Sequence, residues 1–364
     1  MRLSFVLSKY IARRFFMSVT LVLVVMLAVT FLVDIVNLGG RAASRESADL
    51  ALVLEMALLR IPYFMVKILP FSVLFGTMLT YIWLTRTHEL VVMRATGVSV
   101  WQFLLPALTI TVVIGIATIT IFNPLASALI SRFEQLENRN VRSQANVLAV
   151  APGNMWIREG DDTRQSVIHA HEVSASGTEL EDVIILVFGE NDRFIERYDA
   201  KRATLGNHRW DMEEVLISRP DQSTTSVSTL EVPTELSLDR LQAAFASPET
   251  ISFWDLPEFI SVMENAGFSA LQHRIHWHAV LAIPLFLASM VLVAATFSLR
   301  LTRQGNVGLF AVAGLGFGFI VYVVSDIFIA YGMSGNLPVL LAVWGPVAIF
   351  TAIGSTMLLH TEDG

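Results

Sequence analysis

Six apolar segments of about 20 residues each limit what this chain can fold into. A segment of this length satisfies its backbone hydrogen bonds in lipid only as a helix, so each one predicts a membrane-spanning helix. The composition agrees, because 54% of the residues are hydrophobic and only 16% are charged. The predicted spans are residues 15–33, 61–84, 103–122, 277–299, 307–329 and 337–359. We therefore predict an α-helical polytopic membrane protein with three transmembrane helices on each side of a central region.

The central region, residues 126–276, contains no segment apolar enough to cross a bilayer. Strand-like patterning occurs at residues 154–158, 166–170, 183–188, 194–205, 210–219 and 224–232. Strands separated by turn residues in this way predict an inserted all-β domain of the β-sandwich or jelly-roll type. An amphipathic helix that ends the domain is predicted by apolar residues at helical spacing, which are Leu256, Phe259, Ile260 and Met263. The membrane parts are then residues 1–125 and 277–364.

Lys and Arg in the short connections predict the orientation of the spans. One side of the predicted membrane carries Arg2, Lys9, Arg13, Arg14, Arg86, Arg94, Arg300 and Arg303. The other side carries Arg41, Arg45 and Arg60. Because positive residues accumulate on the cytoplasmic side, this bias predicts that both termini are cytoplasmic and that the β domain lies outside the cytoplasm.

A polar stretch, residues 86–99, joins the second and third spans on the predicted cytoplasmic side. Helical spacing places Val92, Met93 and Thr96 beside Glu89, on a patch of modest hydrophobicity, and Gly97 is a natural helix stop. A short helix between two spans has few partners within its own chain, so we interpret it as a docking helix for another protein. The alternative is that Glu89, with Thr87 as N-cap, only complements the helix dipole, and the two roles are compatible.

Motifs for enzyme chemistry are absent from the sequence. None of the three lysines follows a glycine, so the chain cannot form a P-loop, and no G-x-S-x-G or H-E-x-x-H motif is present. His169 and His171 would share a strand face, but two imidazoles without a third ligand do not predict a metal site. We expect these histidines to be solvated or hydrogen-bonded, and we expect no cofactor or metal in this chain.

Basic residues near the outer ends of the predicted spans could bind an anionic lipid headgroup. The candidates are Arg41, Arg45, Arg60, Lys67, Arg132 and Arg139. The alternative is that long side chains of this kind reach the interface and are simply solvated. Lys67 and Asp326 fit that alternative least well, because both lie inside predicted spans. A Gly314-x-Gly316-x-Gly318 run in the fifth span predicts close helix packing.

Several of these features resemble the LptF/LptG family of lipopolysaccharide export permeases, and its LptG members more than its LptF members. The resemblance covers nearly the whole chain. It is carried by the Tyr10-Ile11 opening, by the sequence Glu-Leu-Val-Val-Met-Arg-Ala-Thr-Gly at residues 89–97, by the helices flanking a β domain, and by Gly316-Phe317-Gly318-Phe319. One departure is Asp34, where the family pattern has a basic residue that faces the substrate.

The resemblance implies a non-catalytic membrane subunit of an ABC transporter in the bacterial inner membrane. Such a subunit extracts lipopolysaccharide and passes it through a periplasmic jelly roll to a periplasmic bridge protein, toward the outer membrane. Its implied partners are the paralogous permease LptF and a cytoplasmic ATPase dimer, which holds ATP and Mg; no nucleic acid is involved. The implied ATPase-coupling residues are Glu89, Leu90, Met93, Arg94 and Gly97.

Two other functions remain compatible with the residues themselves. One is an ABC permease for a different lipid or lipoprotein, and the other is an envelope scaffold that does not transport. A scaffold has no need of a partner ATPase, so the proteins that copurify with the chain distinguish it from a permease.

Overall fold

A computed structural model describes residues 5–42, 50–140, 155–160, 164–173, 179–189, 193–206, 209–220, 222–234, 247–265, 269–304 and 307–362. The α-helices are α1 (Phe5–Ala42), α2 (Leu50–Arg86), α3 (Glu89–Ala95), α4 (Val100–Ala117), α5 (Asn123–Asn140), α6 (Leu256–Asn265), α7 (Leu271–Gln304), α8 (Val307–Met333) and α9 (Val339–Glu362). The predicted amphipathic helix is therefore confirmed as α6.

Within the described part of the chain, five helical stretches are long and apolar enough to cross a membrane. They are Phe5–Arg41, Val100–Glu137, Leu271–Leu299, Val312–Met333 and Val339–His360. The remaining predicted span, residues 61–84, lies within α2, a continuous helix of 37 residues that also contains Arg60 and Lys67. The predicted polytopic helical architecture with an inserted β domain is thus confirmed.

The third span continues beyond Asn123-Pro124, where the sequence predicted that it would end. Residues Thr118–Phe122 form a π-helical turn that joins α4 directly to α5. Pro124 has no amide hydrogen to donate to the preceding turn, and a wider π turn is one way for a helix to accommodate such a gap. The Asn123 side chain accepts a hydrogen bond from the Phe253 amide at 2.8 Å, so the chain returning from the β domain is tied to this turn.

The central helix of the bundle is α7, which packs against α2, α4, α8 and α9. Small residues permit the closest approaches. A Cβ atom added at Gly115 of α4 would lie 2.5 Å from the Cα of Pro284 on α7. Similarly, a Cβ atom at Gly76 of α2 would lie 2.7 Å from the Cα of Val19 on α1. Backbone therefore packs on backbone at both crossings, and any side chain there would force the helices apart.

The glycine run of the fifth span packs as the sequence predicted at two of its three positions. Gly314 lies against Met78 of α2, and Gly318 lies against Leu74 of the same helix. Gly316 has nothing within 4 Å of its would-be Cβ atom. Two residues four positions apart on α8 therefore form its close contact with α2.

The β domain contains strands at positions close to all six predicted ones. They are β1 (Met155–Gly160), β2 (Arg164–Val173), β3 (Glu179–Gly189), β4 (Arg193–Leu205), β5 (Arg209–Ser218) and β6 (Thr225–Pro233). These strands form one antiparallel sheet in the order β1-β2-β3-β4-β5-β6. Among the described residues the sheet is therefore a meander and not the predicted jelly-roll order. The short connections explain the difference, because they favour pairing between consecutive strands.

A line of interrupted pairing, which we call the crease, crosses β3, β4 and β5 at Asp182, Lys201 and Glu214. Residues on both sides of this line are paired in the ladders, but Lys201 is paired neither with Asp182 nor with Glu214. Asp182 and Glu214 each have a φ of 51°, in the left-handed region that non-glycine residues rarely adopt. Their side chains are exposed, whereas the face that includes Trp210 and Ile185 is buried. The register is the same on both sides of the crease, so it interrupts the ladders without adding a residue to any strand.

Candidate docking helix and lipid headgroup site

Helix α3 is a seven-residue helix between two left-handed residues, His88 with φ 58° and Gly97 with φ 82°. The prediction that Thr87 is its N-cap is wrong. His88 occupies that position, and its side chain makes no capping hydrogen bond. The Thr87 hydroxyl instead donates to the Trp83 carbonyl at 3.1 Å, so it satisfies the end of α2. The reversal of the chain at His88 therefore sets the start of α3.

The inward face of α3 is attached to the helices of the bundle through apolar contacts. Leu90 is completely buried and Met93 is 6% exposed. Both belong to a core cluster with Leu84 at the end of α2, Phe103 at the start of α4 and Ile11 near the start of α1. Leu90 and Met93, both among the implied ATPase-coupling residues, thus lie against this chain's own spans.

The outward face of α3 is exposed and mixed in character. Val91 is 47% exposed and Val92 is 63% exposed, and Arg94 and Gly97 are exposed beside them. Of the five predicted coupling residues, Arg94 and Gly97 are therefore available to another protein, and Glu89 is half-buried at the edge. Val92 belongs to the patch predicted beside Glu89, whereas Val91 was not singled out, although its position between Leu90 and Met93 indicates an outward direction.

Glu89 has a partner on α1 that local sequence patterns do not predict. The Tyr10 hydroxyl donates a hydrogen bond to Glu89 Oε1 at 3.3 Å, across 79 residues of sequence. One turn further along α1, the Arg14 guanidinium lies 3.9 Å from the centroid of the Trp83 ring. The start of α1 is therefore in contact with both the end of α2 and the start of α3.

At the other end of the bundle, the predicted basic residues are paired with acids. Arg60 of α2 forms a hydrogen-bonded ion pair with Asp34 of α1. Arg41 Nη1 lies 2.6 Å from Oε1 of Glu137, which joins α1 to α5. Asp34 and Glu137 are each only 5% exposed, so their negative charges are held within the protein. The site is thus less positive than its arginines alone imply.

A pocket with a volume of about 550 Å³ opens beside these ion pairs. Its lining residues are Thr30, Val33, Asp34, Asn37, Arg41, Arg60 and Phe64. Two of the six predicted headgroup residues, Arg41 and Arg60, therefore come together at one cavity. The guanidinium of Arg60 also lies 4.7 Å from the ring centroid of Phe64, which fixes its position further.

The remaining predicted headgroup residues lie elsewhere. Arg132 lies 3.6 Å from Glu55 in an exposed ion pair. Lys67 is 5.3 Å from the Tyr63 ring centroid and 4.0 Å from Glu249. Neither lines the pocket of Arg41 and Arg60. Arg45 and the side chain of Arg139 lie outside the described residues.

Glu249 belongs to a short 3₁₀ turn, Pro248–Thr250, on the chain that returns from the β domain. Its carboxylate accepts a hydrogen bond from the Ser247 hydroxyl at 2.6 Å. Burial raises the pKa of Glu249, but the hydrogen bond from Ser247, the neighbouring His276, a backbone hydrogen bond and the charge of Lys67 together outweigh burial and lower the pKa below its usual value. The returning chain is therefore attached to α2 through a charged contact.

Histidines form no metal cluster in the described part of the chain, where no three His, Cys, Asp or Glu side chains gather as ligands. His278 Nδ1 instead accepts a hydrogen bond from the Trp344 indole at 3.5 Å, which joins α7 to α9. His273 packs against the Phe259 ring, with centroids 5.0 Å apart.

This combination of a membrane helix bundle, an all-β insert and a short helix with an exposed face defines a class of protein, the polytopic membrane subunits with a large β insert. The chain belongs to the family described as lipopolysaccharide export system permease LptF/LptG, whose sequence model matches residues 9–360. It is 25% identical over 365 residues to the LptG permease protein of Escherichia coli strain K12, and the match covers 98% of each chain. It is 21% identical to the LptG permease protein of Haemophilus influenzae, over 98% of this chain and 99% of that protein.

Proposed function

We propose that this chain is the LptG-like membrane subunit of an ABC transporter that extracts lipopolysaccharide from the inner membrane. It passes the lipid to a periplasmic bridge protein on the way to the outer membrane. The observation that carries the proposal is the family match over residues 9–360, which includes the spans, the β domain and α3. Similarity along the full length of two permease proteins named LptG supports the choice of subunit.

The chain acts in this proposal as a non-catalytic permease. It pairs with its paralogue LptF and with a cytoplasmic ATPase dimer, which binds ATP and Mg, while this chain holds no cofactor. The missing P-loop supports this division, because a transporter subunit without one needs a partner that hydrolyses ATP. Both termini and α3 lie in the cytoplasm and the β domain in the periplasm, as the distribution of Lys and Arg supports.

Force from the ATPase reaches the membrane through α3. The exposed face with Val91, Val92 and Arg94 contacts the ATPase, together with Glu89 at its edge. Leu90 and Met93 lie buried against α2 and α4, so a displacement of α3 moves those spans with it. The movement narrows a lipid cavity between the paired permeases. This scheme gives the five predicted coupling residues two tasks, contact with the partner and attachment to the bundle.

The pocket beside Arg41 and Arg60 binds phosphate groups of the lipid headgroup. Two guanidinium groups at one cavity suit a phosphate, which accepts paired hydrogen bonds from arginine. Asp34 and Glu137 compete for the same guanidinium groups, so a phosphate binds by replacing an existing ion pair. Arg45 and Arg139 extend the site in this proposal, and Lys67 and Arg132 contribute at the same end of the bundle.

The subunit assignment is tested by purifying the chain with its native partners in detergent and identifying the proteins and lipids by mass spectrometry. We expect a second permease of the same family, a P-loop ATPase and lipopolysaccharide. A different bound lipid would favour an ABC permease for that lipid. Recovery of envelope proteins without any ATPase would favour a scaffold and contradict the proposal.

The docking surface is tested with Val92→Asp, which adds a charge to an exposed apolar position of α3. We expect the variant to lose most of its copurifying ATPase while retaining LptF. The matched control is Leu216→Asp in β5, because Leu216 is also an exposed apolar residue, at 46%. Equal ATPase recovery from both variants would contradict docking through this face.

The headgroup pocket is tested with a photocrosslinking amino acid at Asn37, which lines the cavity. Arg41→Gln in this background should reduce crosslinking to lipopolysaccharide several-fold, since it removes a phosphate donor. Arg219→Gln is the matched control, because the Arg219 side chain is 51% exposed and pairs with the nearly buried Glu196 of the β domain, away from the pocket. If both substitutions leave crosslinking unchanged, the pocket does not bind the headgroup.

A further inference from the structure

We propose that Tyr10 is a positioning residue for coupling: its hydroxyl holds the Glu89 carboxylate in place and thereby joins α1 to the docking helix α3. This inference rests on the proposed function of α3. The contact that carries it is the hydrogen bond from the Tyr10 hydroxyl to Glu89 Oε1, at 3.3 Å. A hydrogen bond to an ionised acceptor is stronger than one between neutral groups.

Tyr10 is fixed by its neighbours on α1. Ile11 and Phe15 are completely buried in the core cluster that also contains Leu90 and Met93 of α3. The Tyr10 ring is 39% exposed and projects from this anchored backbone beside α3. The buried neighbours therefore fix the backbone of Tyr10, and its hydroxyl lies at a defined position relative to Glu89 although part of the side chain is exposed.

Glu89 needs such support because its own helix gives it little. It is the first residue of α3, where the preceding N-cap residue, His88, makes no side-chain hydrogen bond. A glutamate has several rotatable bonds, and one at the start of a short helix populates several rotamers unless a contact selects one. The Tyr10 hydroxyl selects the rotamer that directs the carboxylate toward α1.

Beyond its first turns, α1 packs on α2 and α4, and much of its surface is exposed. Only 11% of the most apolar stretch of α1 is buried within this chain. The contacts of α1 with α3 lie at its first turns, where Tyr10 meets Glu89 and Ile11 meets the apolar cluster. A displacement of α3 by the ATPase therefore reaches α1 at this point, in addition to α2 and α4.

Tyr10→Phe tests the inference, because it removes only the hydroxyl and retains the ring. In the purified transporter complex, we expect ATPase recovery to be unchanged and the lipopolysaccharide released per ATP hydrolysed to fall by about 3- to 10-fold, the range for loss of one hydrogen bond. Tyr331→Phe is the control. Tyr331 is 56% exposed on α8, and its hydroxyl makes no hydrogen bond within the part of the chain that the structure describes. That variant should retain the original ratio.

A double variant separates positioning from a general loss of packing. If Tyr10 acts through Glu89, then Tyr10→Phe with Glu89→Ala should be no worse than Glu89→Ala alone, because the alanine leaves no acceptor for the Tyr10 hydroxyl. Fully additive losses, or an unchanged ratio in Tyr10→Phe, would overturn the inference. The proposed docking role fails separately: in that case Glu89→Ala and Val92→Asp would both leave ATPase recovery and lipid release unchanged.

Discussion

The two ends of the membrane bundle both have an apolar core, but only one of them adds buried ion pairs. At the end with α3, apolar side chains such as Leu90, Met93 and Ile11 pack into one continuous core. At the end nearer the β domain, a smaller apolar cluster of α1, α2 and α5 is joined by the ion pairs Asp34–Arg60 and Arg41–Glu137, which lie beside a cavity. Apolar packing favours one fixed arrangement, whereas an ion pair can exchange a partner for a ligand of the same charge. The first end therefore suits force transmission and the second suits reversible binding.

Removing one charge of the Asp34–Arg60 pair should cause the largest loss of stability at either end of the bundle. Arg60→Ala leaves Asp34, only 5% exposed, without its ion-pair partner and should destabilise the protein by about 3–5 kcal/mol. Thermal unfolding in detergent measures the loss. The double variant Asp34→Asn with Arg60→Gln should recover much of it, because no uncompensated charge remains. Equal stability of the single and double variants would show that the pair is not the cause.

At the α3 end, truncating a buried side chain should destabilise the protein less than Arg60→Ala does, and the loss of stability should not depend on charge. Leu90→Ala removes a completely buried side chain and should destabilise the protein by about 3 kcal/mol. Val91→Ala, one residue away but 47% exposed, is the matched control and should change stability little. The loss for Leu90→Ala should be the same at low and high salt, and a strong salt dependence would contradict an apolar anchor.

The Arg41–Glu137 pair should give an intermediate effect. The Arg41 side chain is 49% exposed, whereas that of Glu137 is 6% exposed. Arg41→Gln should therefore cost about 1–3 kcal/mol, mainly because Glu137 loses a charged donor. The same measurement on Arg41→Lys should give a smaller loss, since the positive charge is retained. If the two substitutions cost equally, the charge is not what stabilises this contact.

Acid should weaken the β-domain end through Glu249, with a smaller effect. Because its folded-state pKa is lowered, the stabilisation from this carboxylate is present above its usual pKa and is lost as the pH falls through the folded-state pKa. Glu249→Gln should remove this part of the pH dependence of unfolding. An unchanged acid profile in the variant would indicate that other carboxylates dominate.

The smallest effect at the same end is expected for the exposed pair of Arg132 and Glu55. Their side chains are 66% and 50% exposed, so solvent screens the interaction. Arg132→Ala should change stability by less than about 1 kcal/mol. A loss as large as that of Arg60→Ala would show that exposure does not distinguish the ion pairs.

Much of the fold could be predicted because its signals are local. Apolar length predicted the helices, and alternating patterns predicted strands at positions close to β1–β6. Local rules were misleading where the structure can accommodate a residue type in more than one way. Pro124 predicts a helix end, yet a π turn carries the helix onward. Thr87 is a suitable N-cap residue, yet the turn at His88 directs its hydroxyl back to α2.

The candidate sites depended more on contacts between distant residues. The polar stretch that contains α3 was visible in the sequence, but its inward and outward faces were decided by the core it meets. Glu89 pairs with a tyrosine 79 residues away, which no local pattern indicates. The acid partners of the arginines are also distant in sequence, because Asp34 lies 26 residues from Arg60 and Glu137 lies 96 residues from Arg41.

The crease through Asp182, Lys201 and Glu214 interrupts the pairing of β3, β4 and β5, so we expect the β domain to flex there more readily than elsewhere. Lys201 divides β4, Arg193–Leu205, into a long arm of eight residues and a short arm of four. The long arm extends roughly 26 Å from the crease, so a rotation of about 10° there displaces its far end by roughly 5 Å. A small rotation of the backbone at these three residues would thus become a large displacement at the edge of the domain.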